Sequence, residues 1–234
     1  MSVQPDAHRW RFDDCDKKTV LFVGRFDRLK GGDVVLGAFA RLAREVPDAR
    51  LVFVGPDDGF RDDAGKVWGF DDYVRAHVPG DVAPRIQMLG QQPPSAIADL
   101  RRRAFVTLLA SRFETFSMTA VEALSFGCPL VAPAAAAIVE IVAHERNGLL
   151  FKAADAADAA HQLLRLFRDP ELAQRLAAEG AADATRRFAP EVVARQMVAF
   201  YDTVRAPDRL RWSTTVGPPT RGGDGERANP AATG

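Results

Sequence analysis

The stretch "TVLFVGRFDRLKGGDVVLGAFARLAREV", residues 19–46, joins an apolar run to an amphipathic segment through a basic loop that contains glycine. The apolar run stops at Gly24 and has the length and composition of a buried strand. The amphipathic segment has one apolar side, because its larger apolar residues recur at helical spacing. These residues are Val34, Val35, Phe39 and Leu42. The stretch therefore predicts a strand, a loop and a helix in that order.

Strand-like and helix-like patterns alternate along the rest of the domain. Further apolar runs are "RLVFVG", "RIQMLG", "FVTLLA" and "PLVAP", with helical patterns between them. Strands that are apolar on both faces and alternate with helices are typical of a parallel sheet covered on both sides. We therefore predict an α/β fold: a single Rossmann-like, doubly wound parallel sheet with helices on both faces.

The last part of the chain has a different pattern. After "NGLLF", residues 147–151, three helical segments follow, and Pro170 and Pro190 mark two first turns. From residue 206 the sequence is rich in Gly, Pro and Thr and has little to bury. We expect C-terminal helices and then a disordered tail over residues 206–234.

The overall composition excludes several classes of protein. The 31 Lys and Arg residues balance 31 Asp and Glu residues, so no global field attracts nucleic acid or an anionic membrane. There is no apolar run of signal-peptide kind and no window near ~20 apolar residues. The two cysteines form no C-x-x-C pair, which suits a reducing compartment. We expect a cytoplasmic protein that has no nucleic-acid partner.

The loop "VGRFDRLKGG", residues 23–32, lies where an open parallel sheet places a ligand, at the carboxyl end of a strand. It is neither a Walker loop, because Lys30 precedes its glycine, nor G-x-G-x-x-G. Arg25 and Lys30 flank the turn, and Gly31 and Gly32 leave amides open near a helix N-terminus, which suits a diphosphate. The alternative is that both cations are solvated and the glycines only make the turn.

A second informative stretch is "FETFSMTAVEALSFGCPLVA", residues 113–132. It predicts a loop that carries Glu114 on the same rim as Arg25, then a helix that begins near Ser117 and ends at Gly127. A capping serine leaves the first amides of the helix, those of Met118 and Thr119, free to face an anion or a sugar hydroxyl.

Glu122 has a local explanation, because "TAVE", residues 119–122, matches a capping box. Glu114 has no such explanation, although a lone surface glutamate needs none. Upstream, "QPPSAIADLRRR", residues 92–103, predicts a helix capped by Ser95 whose arginines form a solvated face.

Three motifs, in this order, resemble those of glycosyltransferase family four (glycosyl transferases group 1), whose members are retaining enzymes of the GT-B fold. The first loop is similar to the family's V-G-R-x-x-x-x-K-G, and residues 114–132 are similar to its E-x7-E helix and following strand. The third motif is "EIVAHERNGLLF", residues 140–151. The resemblance covers roughly residues 19–204 and is to the C-terminal, donor-binding domain.

The resemblance implies a role for each matching position. Arg25 and Lys30 would bind the donor diphosphate, and Glu114 would face the sugar ring. Amides near Ser117 and Met118 would contact sugar or phosphate oxygens, and Glu122 would hold ribose hydroxyls. The implied catalytic residues are Glu114, Lys30 and Arg25. The implied donor-binding residues are Gly24, Arg25, Lys30, Glu114, Phe116, Ser117, Met118, Thr119 and Glu122.

The resemblance also implies an activity, the transfer of a hexosyl group from a nucleotide-diphosphate sugar to an unknown acceptor, which is a glycan, a lipid or a small molecule. No cofactor and no metal are expected, and the histidines form no ligand pattern. The histidines are His8, His77, His144 and His161.

The family's fold has two Rossmann-like domains, of which this chain resembles one. We expect a linker-like segment over residues 1–18 and a nucleotide-sugar-binding domain over residues 19–205. A separate N-terminal acceptor-binding domain or chain is the expected partner, and any membrane attachment would be peripheral, through that domain. The alternative is a non-catalytic nucleotide-sugar-binding subunit, or the remnant of a truncated or split glycosyltransferase.

The chain departs from the family pattern at three positions. Ser117, Ala135 and Ala136 stand where the family usually has glycine, and we expect the two alanine methyl groups to crowd the sugar side. Two other enzyme classes fit poorly. Ser125 in "ALSFG" lies late in a predicted helix and not at the turn of a hydrolase nucleophile elbow. A dehydrogenase would need a glycine fingerprint that is absent from the sequence.

Overall fold

A computed structural model describes residues 9–205. The strands, in chain order, are β1 (Asp16–Val23), β2 (Arg50–Val54), β3 (Phe60–Arg61), β4 (Val67–Trp68), β5 (Ile86–Met88), β6 (Ala104–Leu108), β7 (Leu130–Pro133) and β8 (Leu149–Phe151). Six of them form one parallel sheet in the order β5-β2-β1-β6-β7-β8, and β3 and β4 form a small antiparallel hairpin.

The helices are α1 (Gly32–Glu45), α2 (Phe70–His77), α3 (Pro94–Arg103), α4 (Met118–Phe126), α5 (Ile138–Ile141), α6 (Ala156–Arg168), α7 (Pro170–Phe188) and α8 (Pro190–Arg205), and a 3-10 turn covers Ala83–Arg85. Pro170 and Pro190 occupy first turns, as predicted from their positions.

Helices cover both faces of the sheet, and β1 shows this directly. Val20 and Phe22 belong to the larger core cluster, which includes residues of α1 and α6. Leu21 belongs to a cluster on the other face, against Ile97 and Leu100 of α3. Successive strand residues point to opposite faces, so an all-apolar strand needs cover on both. The predicted doubly wound α/β fold is confirmed.

Two features of the sheet were not predicted. The hairpin strands β3 and β4 have two residues each, which is too short for a periodic signal. The edge strand β8 comes from "NGLLF", and its three residues Leu149–Phe151 pair with β7.

The start of the described chain packs against the domain. Trp10 is buried; its amide donates to the Phe126 carbonyl (2.7 Å) and its indole Nε1 donates to the Ala104 carbonyl (2.8 Å). The strand β1 begins at Asp16, ahead of the boundary predicted at residue 19. The division into segments 1–18, 19–205 and 206–234 stays a prediction, and the predicted disordered tail lies outside the described residues.

Of the described residues, 9–194 belong to one compact unit and 195–205 to a second. Within residues 9–205, the helices are too short or too polar to cross a membrane.

Both cysteines are free and buried, Cys15 ahead of β1 and Cys128 between α4 and β7. Burial raises the pKa of each thiol to about 11. Both side chains are therefore neutral at physiological pH and behave as small apolar groups.

A buried carboxylate joins α7 to the segment between α5 and β8. Asp183 is 1% exposed, and its Oδ2 accepts hydrogen bonds from Asn147 Nδ2 (2.9 Å) and Arg187 Nη1 (2.9 Å). Arg146 and Arg186 pair with Oδ1. Burial alone would raise the pKa of Asp183, but the hydrogen bonds from Arg187 and Asn147 outweigh it and hold the pKa below its usual value.

We predict that Asp183→Asn lowers the free energy of unfolding by about 2–3 kcal/mol near pH 7, because it removes charge-assisted hydrogen bonds. Since the folded-state pKa is lowered, this contribution is complete above the unfolded-state pKa of about 3.9 and is lost as pH falls through the folded value. Urea denaturation at several pH values should show a shallower acid dependence for the variant. Glu179→Gln, an exposed change on the same helix, is the control, and equal losses in both variants would contradict the prediction.

Candidate active site

Three loops meet at one edge of the sheet because its strands are parallel and their carboxyl ends lie together. The loops follow β1 (residues 24–31), β6 (residues 109–117) and β7 (residues 134–137). The Arg112 amide donates to the Leu29 carbonyl (2.8 Å), and the Ala137 amide donates to the Glu114 carbonyl (3.3 Å). The three loops therefore form one connected rim.

Gly31 allows the first loop to lie against the end of β6. It is the N-cap of α1, with a left-handed φ of 74°. A Cβ atom there would lie 2.1 Å from the carbonyl oxygen of Ala110, which is far inside van der Waals contact. A side chain at this position would push the loops apart, so the close approach requires glycine.

The loop contact brings Lys30 and Glu114 together, although they are 84 residues apart in sequence. Lys30 Nζ lies 2.6 Å from Glu114 Oε1, and the fully buried Ser111 donates its hydroxyl to the same oxygen (2.8 Å). The two charged side chains are 27% and 13% exposed, so the pair is partly shielded from solvent. Two of the residues predicted for the site are therefore adjacent.

A second ion pair, which was not predicted, fixes the rim. Arg112 binds Asp33 of α1 through two hydrogen bonds (2.9 and 2.7 Å) and donates to the Arg28 carbonyl (2.6 Å). The hydrogen bond to Asp33 raises the pKa of Arg112. Asp33 lies in the first turn of its helix, where an acidic residue also has the local explanation of the helix dipole. Only the tertiary structure identifies its partner.

Arg25 lies on the same loop as Lys30 but pairs with other carboxylates. Its guanidinium is 3.0 Å from Asp27 Oδ2 and 3.3 Å from Asp58 Oδ2, and its side chain is 46% exposed. The pair with Asp58 is exposed on both sides, and such pairs contribute about 0–1 kcal/mol, so an anionic ligand can displace it at little cost. Asp27 is more shielded, with a side chain that is 15% exposed. Gly24 precedes Arg25 and ties the loop to β2 through its amide and the Val54 carbonyl (2.8 Å).

The helix α4 begins and ends as predicted. Ser117 is the N-cap, and its hydroxyl accepts from the Ala120 amide (3.3 Å). Gly127 closes the helix with a left-handed φ of 70°. The amides of Met118 and Thr119 have no acceptor within the part of the chain that the structure describes. They are available to a ligand oxygen at the positive end of the helix.

Phe116 and Met118 have exposed side chains at this helix start. Phe116 also makes an edge contact with Phe188 of α7, with ring centroids 6.1 Å apart. Both residues therefore lie on the rim, at the surface.

The local explanation of Glu122 is wrong. The cap is Ser117 and not Thr119, so the capping-box position is Ala120 and Glu122 lies two residues too late. Its Oε2 instead accepts a hydrogen bond from Arg101 Nη2 of α3 (3.0 Å). The prediction of a solvated arginine face is also wrong for Arg101, which is 0% exposed. Burial lowers the pKa of Arg101, and the Glu122 carboxylate opposes that shift.

The structure also tests the predictions made for Ser95 and Ser125. Ser95 is not the cap of α3, because the helix begins at Pro94 and its N-cap, Pro93, makes no side-chain hydrogen bond. Ser125 is 2% exposed and donates to the Val121 carbonyl (2.8 Å), which is the geometry of a buried helix residue and not of a nucleophile.

Ala136 occupies a strained backbone position in the loop after β7. Its φ is 44°, in the left-handed region that costs a residue with a side chain roughly 1–2 kcal/mol. Its neighbour Ala135 is not among the described residues with positive φ. The backbone thus gives a physical reason for glycine at position 136 of this loop.

Between residues 9 and 205, no three His, Cys, Asp or Glu residues are grouped so that they could hold a metal ion. The sequence-based expectation that no metal is needed stays a prediction.

Solved structures identify the class of this fold. The sucrose-phosphate synthase of Thermosynechococcus elongatus aligns with a TM-score of 0.70 and 27% identity, over 87% of this chain and 51% of that one. Anabaena Alr3699/HepE in complex with UDP-glucose aligns with a TM-score of 0.64 and 23% identity, over 80% and 49%. These likenesses place the chain in the class of single GT-B domains.

The sequence model of the family described as "Glycosyl transferases group 1" matches residues 6–183, and the chain belongs to this family. The phosphatidyl-myo-inositol mannosyltransferase of Mycobacterium leprae is 33% identical over 189 residues, which are 80% of this chain and 47% of that protein. The chain thus spans less than half of this curated relative. The prediction of a C-terminal GT-B glycosyltransferase domain is confirmed.

We predict that Ala136→Gly raises the free energy of unfolding by about 1 kcal/mol, because glycine adopts the left-handed conformation without a steric penalty. Ala135→Gly is the matched control and should lower it by about 0.5–1 kcal/mol, since it only adds freedom to the unfolded chain. Denaturant titration of both variants measures the difference. A loss of stability in Ala136→Gly equal to that of the control would show that position 136 is unstrained.

Proposed function

We propose that this chain is the donor-binding half of a retaining glycosyltransferase of family four. It moves a hexosyl group from a nucleotide-diphosphate sugar to an acceptor held by a facing domain that is separate from the residues described. The observation that carries this proposal is the Lys30–Glu114 pair (2.6 Å), a shielded cation and carboxylate next to the free amides of α4.

The donor diphosphate binds at the cationic side of the rim. Lys30 and Arg25 supply positive charge from one loop, and the amides of Met118 and Thr119 supply hydrogen-bond donors from the helix start. The pair of Arg25 with Asp58 is exchangeable, because the two side chains are 46% and 43% exposed. The phosphates therefore replace the weak contact of Arg25 by stronger, charge-assisted ones.

Glu114 orients the sugar. Its Oε1 is held by Lys30 and Ser111, whereas its Oε2 has no hydrogen-bond partner among residues 9–205. One oxygen is thus fixed and the other is free to accept from a sugar hydroxyl. A carboxylate held in this way loses little conformational entropy when the donor binds.

The reaction is driven by position and charge. Negative charge grows on the diphosphate as the bond to the sugar breaks, and the fixed cations and amides stabilise it. The leaving phosphate itself assists the incoming hydroxyl, so the reaction needs no protein nucleophile, and the anomeric configuration is retained. The complex of Anabaena Alr3699/HepE with UDP-glucose supports a nucleotide sugar as donor.

A second candidate function is a non-catalytic nucleotide-sugar-binding subunit. The match covers 47% of the mannosyltransferase relative and 51% of the sucrose-phosphate synthase chain, and the described residues supply the donor side of the proposed site. Such a subunit turns over only together with a separate acceptor-binding chain. Calorimetry with UDP, GDP and ADP, set beside a sugar-transfer assay on the same preparation, separates the two: binding without transfer favours the subunit.

We predict that Lys30→Ala weakens binding of the tightest of these diphosphates by about tenfold or more, the value of a charge-assisted hydrogen bond. Glu114→Gln should not weaken it, because the change frees Lys30 for the phosphates. In an assembly completed with the facing domain, both variants should abolish transfer. Calorimetry and a transfer assay measure the two effects.

Lys18→Ala is the matched control for Lys30→Ala. Lys18 is an exposed lysine in the first half of β1 and pairs with Asp48, so its loss should leave binding unchanged. Near-normal transfer by Lys30→Ala or by Glu114→Gln would refute the assignment.

A further inference from the structure

Arg101 is the largest of the fully buried side chains in the described part of the protein. It lies in the last turn of α3, and its side chain is 1% exposed. Arginine is not deprotonated inside proteins, so a full positive charge lies beneath the protein surface. Such a charge is costly unless a carboxylate neutralises it.

Glu122 supplies that carboxylate. Its Oε2 accepts from Arg101 Nη2 (3.0 Å), and no other carboxylate within residues 9–205 forms an ion pair with Arg101. The Nε and Nη1 atoms of Arg101 are buried without a hydrogen-bond partner among the described residues. The guanidinium of Arg101 is therefore poorly compensated for the loss of water. Its ion pair among the described residues is with one oxygen of Glu122.

The two carboxylate oxygens of Glu122 lie in different environments. Its side chain is 40% exposed, and its Oε1 has no hydrogen-bond partner in the described chain. It follows Met118 by four residues, so it lies on the same face of α4, about 6 Å below the free amides of the helix start. One oxygen is thus anchored in the protein and the other is presented to the rim.

We propose that Arg101 is a positioning residue that fixes Glu122 so that the glutamate selects a donor with an intact ribose. This inference rests on the proposed function. A fixed carboxylate oxygen accepts a hydrogen bond from a vicinal hydroxyl of the ribose. Because folding has already ordered the glutamate side chain, binding the donor costs little further conformational entropy. A deoxyribose leaves that oxygen without its donor, which is where the selectivity arises.

The test compares binding of the tightest nucleoside diphosphate with binding of its 2′-deoxy and 3′-deoxy forms. The wild-type chain should prefer the ribonucleotide over at least one deoxy form by about tenfold, since a hydrogen bond to a charged group is lost. Arg101→Met should reduce this preference to that of Glu122→Gln. The double variant should show no further loss, because the two residues act as one unit.

Controls separate positioning from structure. Arg102→Met removes a partly exposed arginine, paired with Asp99, from the same helix turn and should leave the preference unchanged. Replacing a buried ion by an apolar chain of similar length is often tolerated, and circular dichroism with thermal unfolding checks this for Arg101→Met. If Arg101→Met does not fold, Arg101→Lys takes its place, because it keeps the charge but has a shorter reach and should also lower the preference.

The outcomes are distinguishable. If the wild-type chain binds none of UDP, GDP and ADP, the proposed function fails. If it binds with a ribose preference that a folded Arg101 variant retains, the proposed function stands and the role of Arg101 is overturned. Equal binding of ribo and deoxy forms by the wild-type chain also overturns it.

Discussion

The close approach of two loops at Gly31 is the constraint on which the rest of the site depends. The Gly31 Cα hydrogens face the Ala110 carbonyl at a distance that excludes any side chain. Because the loops touch there, Lys30 reaches Glu114 and Arg112 reaches Asp33. Two ion pairs between distant parts of the sequence thus follow from the absence of one methyl group.

The rim is organised by charges that already have partners. Four cations each contact a carboxylate, and the pairs differ in their exposure to solvent. The cations are Lys30, Arg25, Arg112 and Arg101. Exposure decides what each pair can do, because solvent and ligands compete for open pairs but not for enclosed ones. The pair of Arg25 with Asp58 is open to solvent and anions, whereas Arg101 is enclosed beside Glu122. The site therefore combines exchangeable cations with fixed carboxylates.

Local signals made most of the fold predictable, as Ser117 and Gly127 show: a cap and a left-handed glycine bound α4 at the residues expected. Tertiary partners were not predictable. The capping-box reading of Glu122 failed because its true partner lies on another helix. The sequence did contain an indication that one arginine is buried. Three consecutive residues span roughly 200° around a helix axis, so the arginines of 101–103 cannot all face solvent. Arg101 also follows the sheet-facing Ile97 by four residues.

The two buried cysteines have a practical consequence for spectroscopy. With a thiol pKa of about 11, Cys15 and Cys128 hold only about one part in ten thousand as reactive thiolate at neutral pH. An engineered surface cysteine has an ordinary pKa and reacts with maleimide dyes far faster. A fluorophore can therefore be attached beside the rim of the otherwise native sequence, and the response of the rim to an added ligand can be measured without removing either natural cysteine.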